Sequence, residues 1–129
     1  MTARSIGAVA AGFVAVAVVT TLVDVVLHAT GVYPPWGEPI GNGLSLLATA
    51  YRVVITIGGG YLTARLAPIR PLAHAVVLGI VGIVAAAVAT AVTWNVQPPL
   101  APHWYPLALV ATALPCTWMG GRIVSRGAR

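Results

Sequence analysis

The sequence predicts an all-α fold: a transmembrane four-helix bundle with antiparallel, up-down topology. Three observations carry this. Hydrophobic residues make up 59% of the 129 positions and charged residues 7%, against about 25% charged in soluble domains. Four apolar stretches each approach the roughly 20 residues that cross about 30 Å of hydrocarbon. Short segments rich in proline and glycine separate them, which leaves no room for a soluble domain and describes a single membrane domain over residues 1–129.

The first span is expected from Ser5 to His28. Arg4 before an apolar run resembles a secretory signal, but the run exceeds a typical h-region of about 7–15 residues and three more spans follow. Gly31, Pro34, Pro35 and Pro39 enforce a loop to about Gly43. The second span covers Leu44 to Leu66, and Pro68 and Pro71 punctuate the turn after it. The third runs from Pro71 to Trp94, with proline at a tolerated first-turn position. A second proline-rich loop from Asn95 leads to a fourth span, Trp104 to Gly121. Pro115 lies inside that span and is expected to kink it, leaving the Ala111 carbonyl for a polar side chain of another span, such as a threonine, or a water to satisfy. Without alternating segments the chain is no β-barrel.

Orientation follows from the arginines. Arg4, then Arg65 and Arg70, then Arg122, Arg126 and Arg129 fall on one side, whereas the two loops opposite carry only Glu38. The positive-inside rule places both termini in the cytoplasm, and a bacterial inner membrane is expected. All basic residues are arginine, a bias that a GC-rich bacterial genome gives. The partners expected are the bilayer itself, with anionic headgroups at these arginines, and a second copy or another membrane protein. Scattered arginines do not make a nucleic-acid groove. Tyr33, Trp36, Trp94, Trp104 and Tyr105 gather at the opposite side as an interfacial aromatic belt.

A weak parallel repeat of two helices runs through the chain. Val32-Tyr33-Pro34-Pro35 echoes Val96-Gln97-Pro98-Pro99, and Leu47-Ala48-Thr49-Ala50 echoes Val110-Ala111-Thr112-Ala113. Gly59-Gly60 ahead of Arg65 matches Gly120-Gly121 ahead of Arg126. Such units would be related by an axis along the membrane normal.

Two charges fall at membrane depth, Asp24 and Arg52. Each costs at least about 2.5–3.5 kcal/mol there and therefore needs a partner or water. Asp24 lies roughly 9 Å and Arg52 roughly 15 Å below the outer boundary. Side chains lean toward their own helix N-terminus, so in antiparallel helices the two tips approach, and Arg52 can offer forked donors to the carboxylate. Thr20, Thr21 and His28 share Asp24's helical face; Thr49, Thr56, Gly59 and Thr63 share that of Arg52. His28, one turn above Asp24, is placed to take or pass a proton. His74 falls at the opposite end of the bundle, and His28 with His103 makes a poor zinc set, so no metal or cofactor is expected. Gly58, Gly59, Gly60, Gly79, Gly82, Gly120 and Gly121 are candidate helix-packing positions. Tyr51, Tyr61 and Trp118 read as packing or interface residues. The lone Cys116 reads as a small buried hydrophobe without a disulfide partner. No nucleophile with a base and no phosphate loop is present, so no catalytic residue is assigned.

Ala48-Thr49-Ala50-Tyr51-Arg52, Gly59-Gly60-Tyr61-Leu62-Thr63-Ala64-Arg65 and Trp104-Tyr105-Pro106-Leu107-Ala108 resemble stretches of small bacterial four-helix inner-membrane proteins. That resemblance implies the fold and no activity. Small multidrug exporters share the size and a first-helix acid, but here the acid lies near the outer end beside an arginine and the arginine bias fixes one orientation. Fluoride channels find no support, and two-cysteine quinone oxidoreductases are excluded by the cysteine count. The leading expectation is a non-enzymatic structural or assembly component. The rivals are a small transporter or channel using Asp24, Arg52 and His28, and an enzyme or binder of a lipid-soluble ligand.

The orientation has a direct test. Cysteine introduced at Gly37 is expected to react with an impermeant thiol reagent in intact cells, and cysteine at Ile69 to stay unlabelled; reversed labelling would invert the topology.

Overall fold

The computed structural model describes residues 3–35, 38–95 and 101–127, so Trp36, Gly37, the Val96–Pro99 half of the repeat and Arg129 lie outside the described residues. Four helices form: α1 (Ala3–Ala29), α2 (Asn42–Leu66), α3 (Pro71–Thr93) and α4 (Trp104–Gly127). All four are long and apolar enough to cross a membrane, and the chain is a multi-pass membrane protein. Arg4, Arg65, Arg70, Arg122 and Arg126 are exposed at one end of the bundle, called here the arginine end. The other is the aromatic end.

Most boundaries fall within two residues of the sequence reading. The exception is α4, which runs to Gly127 where a stop at Gly121 was expected. Hydropathy marks where the apolar span ends, but once a helix is nucleated each further residue adds a backbone bond, so Arg122 to Arg126 continue the same helix. The helix is also continuous across Pro115. The threonines of α4 that flank Pro115 bond within their own helix, Thr112 to Ala108 O at 2.8 Å and Thr117 to Leu114 O at 3.1 Å.

The connections follow from local chemistry. Gly31 takes φ +82, a left-handed conformation that only glycine enters without strain. The reversal lets Tyr33 N–H reach back to Leu27 O at 3.1 Å and turns the Tyr33 side chain under the loop. Between α2 and α3, Arg70 sits at φ 48, ψ 64 ahead of Pro71. The residue before proline is disfavoured in the right-handed helical region, which is consistent with this left-handed step at the start of α3.

Small residues bring the backbones together, the usual mode of packing where lipid removes any hydrophobic drive between helices. Gly60 and Gly120 lie where α2 crosses α4: a methyl on Gly60 would overlap the Thr117 backbone, and one on Gly120 the backbone of Ile57 and Tyr61. Gly79 and Gly121 do the same between α3 and α4, against Thr117 and Ala75. Gly59 meets α1 at Gly12 and Val16. Gly82 faces Ala113 at ordinary contact distance, and Gly58 has nothing nearby. Thr63, fully buried, donates across to Ala8 O at 3.0 Å.

Helix α1 is the eccentric member. It packs on α2, touches α3 less and has no contact with α4 among the described residues. Its bond to α3 is at the arginine end. There His74 Nδ1 donates to Arg70 O at 2.9 Å, and its Nε2 shares a hydrogen bond with the Ser5 hydroxyl at 2.8 Å. Of the repeat's glycines, Gly60 meets Gly120 across α2 and α4, whereas Gly59 turns to α1 and Gly121 to α3, which is not the pairing a two-fold axis between α2 and α4 would give. The rest of the bundle departs from that symmetry, because α3 packs on α2 whereas its counterpart α1 leaves α4 alone.

Because Gly60 and Gly120 have no room for a side chain, Gly60→Ala and Gly120→Ala are each expected to destabilise the bundle by about 1–3 kcal/mol. Gly58→Ala is expected to be neutral. Unfolding in detergent micelles measures this; equal effects at all three positions would contradict the crossing described.

Candidate functional site

The two charges expected to meet do so. Arg52 Nη2 donates to Asp24 Oδ2 at 2.8 Å, across 28 positions of sequence and the α1–α2 interface. The forked contact expected from the guanidinium does not form. Tyr51, the neighbour of Arg52 on α2, donates its hydroxyl to the other carboxylate oxygen, Oδ1. The Tyr33 and Tyr51 hydroxyls lie 3.0 Å apart; with the Tyr51 proton engaged at Asp24, Tyr33 donates to Tyr51. A chain Tyr33–Tyr51–Asp24–Arg52 therefore closes the aromatic end between α1, α2 and the loop joining them.

Two assignments change as a result. Tyr33, expected in the interfacial belt, is buried beneath the loop, whereas Trp94 and Trp104 remain exposed. Tyr51, expected to serve packing, holds the carboxylate. A signal for it was present: a carboxylate accepts about four hydrogen bonds, and one guanidinium on a facing helix cannot supply them all. His28 lies one turn from Asp24. Its Nδ1 accompanies the main-chain carbonyl of Asp24 at 2.7 Å, as donor, and its ring packs edge-on against Tyr33 with centroids 5.0 Å apart.

The pair is not sealed. The Arg52 and Asp24 side chains keep 28% and 21% of their surface, and two cavities explain where. A chamber of about 480 Å³ runs along the bundle interior. α1 contributes Phe13, Val16, Ala17, Thr20, Thr21 and Asp24 to it, α2 gives Arg52 and Thr56, and the rest comes from α3 and α4. The exposed lining residues are Phe13, Ala17 and Thr21 on α1 and Ala85 and Ala89 on α3, so the mouth opens sideways between α1 and α3, where α1 has come away from the bundle. A second cavity of about 290 Å³ lies at the aromatic end, between α3 and α4, lined by Thr90, Trp94, His103 and Tyr105 among others. His103 stacks on Trp94 with centroids 3.9 Å apart. Arg52 lines both cavities.

Of the polar residues singled out from sequence, Asp24, Arg52, Thr20, Thr21 and Thr56 converge on the chamber. Thr49 does not: its hydroxyl donates to Ser45 O at 2.9 Å within α2. Thr21, Thr56 and Thr112 are similarly occupied, with Ala17 O, Arg52 O and Ala108 O. Among the described residues two buried polar atoms lack a partner, Ser45 Oγ and Arg52 Nε, and of these two residues Arg52 lines the chamber. An unmet buried donor costs about 1–3 kcal/mol.

Removing one partner of a buried pair costs about 3–5 kcal/mol, while replacing both with apolar groups is often close to neutral. Asp24→Ala and Arg52→Ala are each expected to lower stability in detergent on that scale, and Asp24→Leu with Arg52→Met to recover most of it. Tyr51→Phe, which strips a donor from the carboxylate, is expected to cost about 1–3 kcal/mol. A double variant no more stable than the singles would show that the pair contributes more than mutual neutralisation.

No protein-family model, curated protein or solved structure matches this chain, so its function is argued from the placement of these residues alone.

Proposed function

We propose that this protein binds a small lipid-soluble molecule within the membrane, admitting it from the bilayer between α1 and α3 without chemically altering it. The observation that carries this is the chamber. Its 480 Å³ falls in the range of about 300–1,000 Å³ that small-molecule sites occupy, and like them it joins apolar walls to a few convergent polar groups. A purely structural ion pair asks for closure, and this one keeps exposed surface where the chamber ends. The reading as a structural or assembly component draws its support from the close glycine crossings; in that case a helix of a second copy or of another membrane protein fills the gap beside α1.

We further propose that the arginine end faces the cytoplasm of a bacterial inner membrane. Exposed Arg65, Arg70, Arg122 and Arg126, with Arg129 in the tail, would then lie at the level of anionic headgroups, worth about 1 kcal/mol each near such a surface.

An alkyl chain bearing a photoreactive diazirine, partitioned into vesicles that hold the protein, is expected to label Phe13, Leu78 and Ala113 on the chamber wall. Labelling there should exceed that of Val84 and Val88, which face outward on α3, and Ala85→Trp at the mouth should suppress it. Labelling of the chamber no stronger than at Val84 and Val88 rejects the binding reading. Cross-linking of two copies through cysteines at Ala85 would instead place a protein helix in the gap.

A further inference from the structure

We infer that the chamber's occupant is a single-chain lipid with a neutral, hydrogen-bond-accepting head, such as a ketone, ester or amide carbonyl, whose oxygen is held by the Arg52 guanidinium. This rests on the binding reading above and narrows it to a ligand class.

The tail follows from shape. From Phe13 to Asp24 the chamber follows α1 for roughly 16 Å, so its 480 Å³ gives a mean section of about 30 Å². A section of that order suits one extended hydrocarbon chain. The walls along that length are mainly apolar, with Phe13, Val16, Leu78, Ala85 and Ala113, and of the threonines among them Thr21, Thr56, Thr112 and Thr117 turn their hydroxyls to carbonyls of their own helices.

The head follows from the hydrogen-bond arrangement where the chamber ends. Asp24 already accepts from Arg52 on one oxygen and from Tyr51 on the other. The Thr21, Thr56, Thr112 and Thr117 hydroxyl protons are spent on main-chain carbonyls of their own helices. The groups left to meet a ligand head are the guanidinium and the Thr20 hydroxyl: of the five guanidinium N–H bonds one goes to Asp24, part of the side chain is exposed where it borders both cavities, and Thr20 also lines the chamber. Both can donate to an acceptor.

Charge then decides which acceptor. Arg52 and Asp24 sum to zero, so a carboxylate head would bring an unbalanced negative charge into hydrocarbon beside Asp24 and lose its own hydration. A cationic head would face the guanidinium. A carbonyl satisfies the donor without changing the charge of the site.

Three diazirine probes with the same ten-carbon chain test this, one ending in a methyl ketone, one in a carboxylate and one in a trimethylammonium. The ketone is expected to label the chamber at about tenfold lower concentration than either charged probe, the scale of one hydrogen bond to a charged donor. Arg52→Lys keeps the charge beside Asp24 but replaces the planar guanidinium with a compact ammonium, and is expected to remove that preference. The Asp24→Leu, Arg52→Met double variant, whose folding is checked by its thermal transition, should label equally with ketone and plain alkane. A charged probe labelling best, or a ketone preference that survives in both variants, overturns the inference while leaving the binding chamber in place. No chamber labelling by any head rejects the binding reading itself, and this inference with it.

Discussion

Asp24 and Arg52 lie 28 residues apart on neighbouring helices, at a depth where neither can remain alone. That constraint fixes how α1 sits. The two side chains lean toward each other only if α1 and α2 are antiparallel and in the register observed; a slip of one helical turn, about 5.4 Å, would strand both. The aromatic end of α1 is thus held by a polar chain through Tyr51 and Tyr33, and its arginine end by Ser5–His74 and Thr63–Ala8. Between those anchors the helix is held mainly from one side.

The other three helices are joined differently. Gly60, Gly79, Gly120 and Gly121 let α2, α3 and α4 approach to backbone contact, so dispersion between main chains replaces the hydrophobic effect that lipid cannot supply. α1 has one glycine of this kind, Gly12, and beyond it presents Phe13, Ala17 and Thr21 to the gap. The chamber is the volume left between a tightly packed trio and a helix tied at its two ends, which explains why it is long, narrow and open sideways.

Much of this could be read from sequence because membrane depth makes polar residues conspicuous. Helix number, the α1–α2 register and the meeting of Asp24 with Arg52 all follow from hydropathy, side-chain lean and the cost of a lone charge. Tyr51 escaped because its ring suits packing and its hydroxyl becomes visible only when the acceptors of Asp24 are counted. Tyr33 escaped because the turn at Gly31, which folds it inward, is not encoded in hydropathy. The Ser5–His74 bond joins residues 69 apart with no periodic pattern linking them. Gly12 had a signal in its four-residue spacing from Ala8. The separation of α1 from α4 had none, because lipid-facing and chamber-facing apolar residues are chemically alike.

The same spacing sets an order of events while the chain is being made. α1 leaves the ribosome first and carries a carboxylate whose counter-charge does not yet exist. At about 5–20 residues per second, Arg52 follows roughly 1–6 s later. Release of α1 into lipid on its own during that wait would incur the cost of an unaccompanied charge, whereas release together with α2 would not. The first two helices are therefore suited to enter the bilayer as a hairpin, after which α3 and α4, with no Asp, Glu, Lys or Arg from Leu72 to Gly121, can enter singly and close the trio against α2.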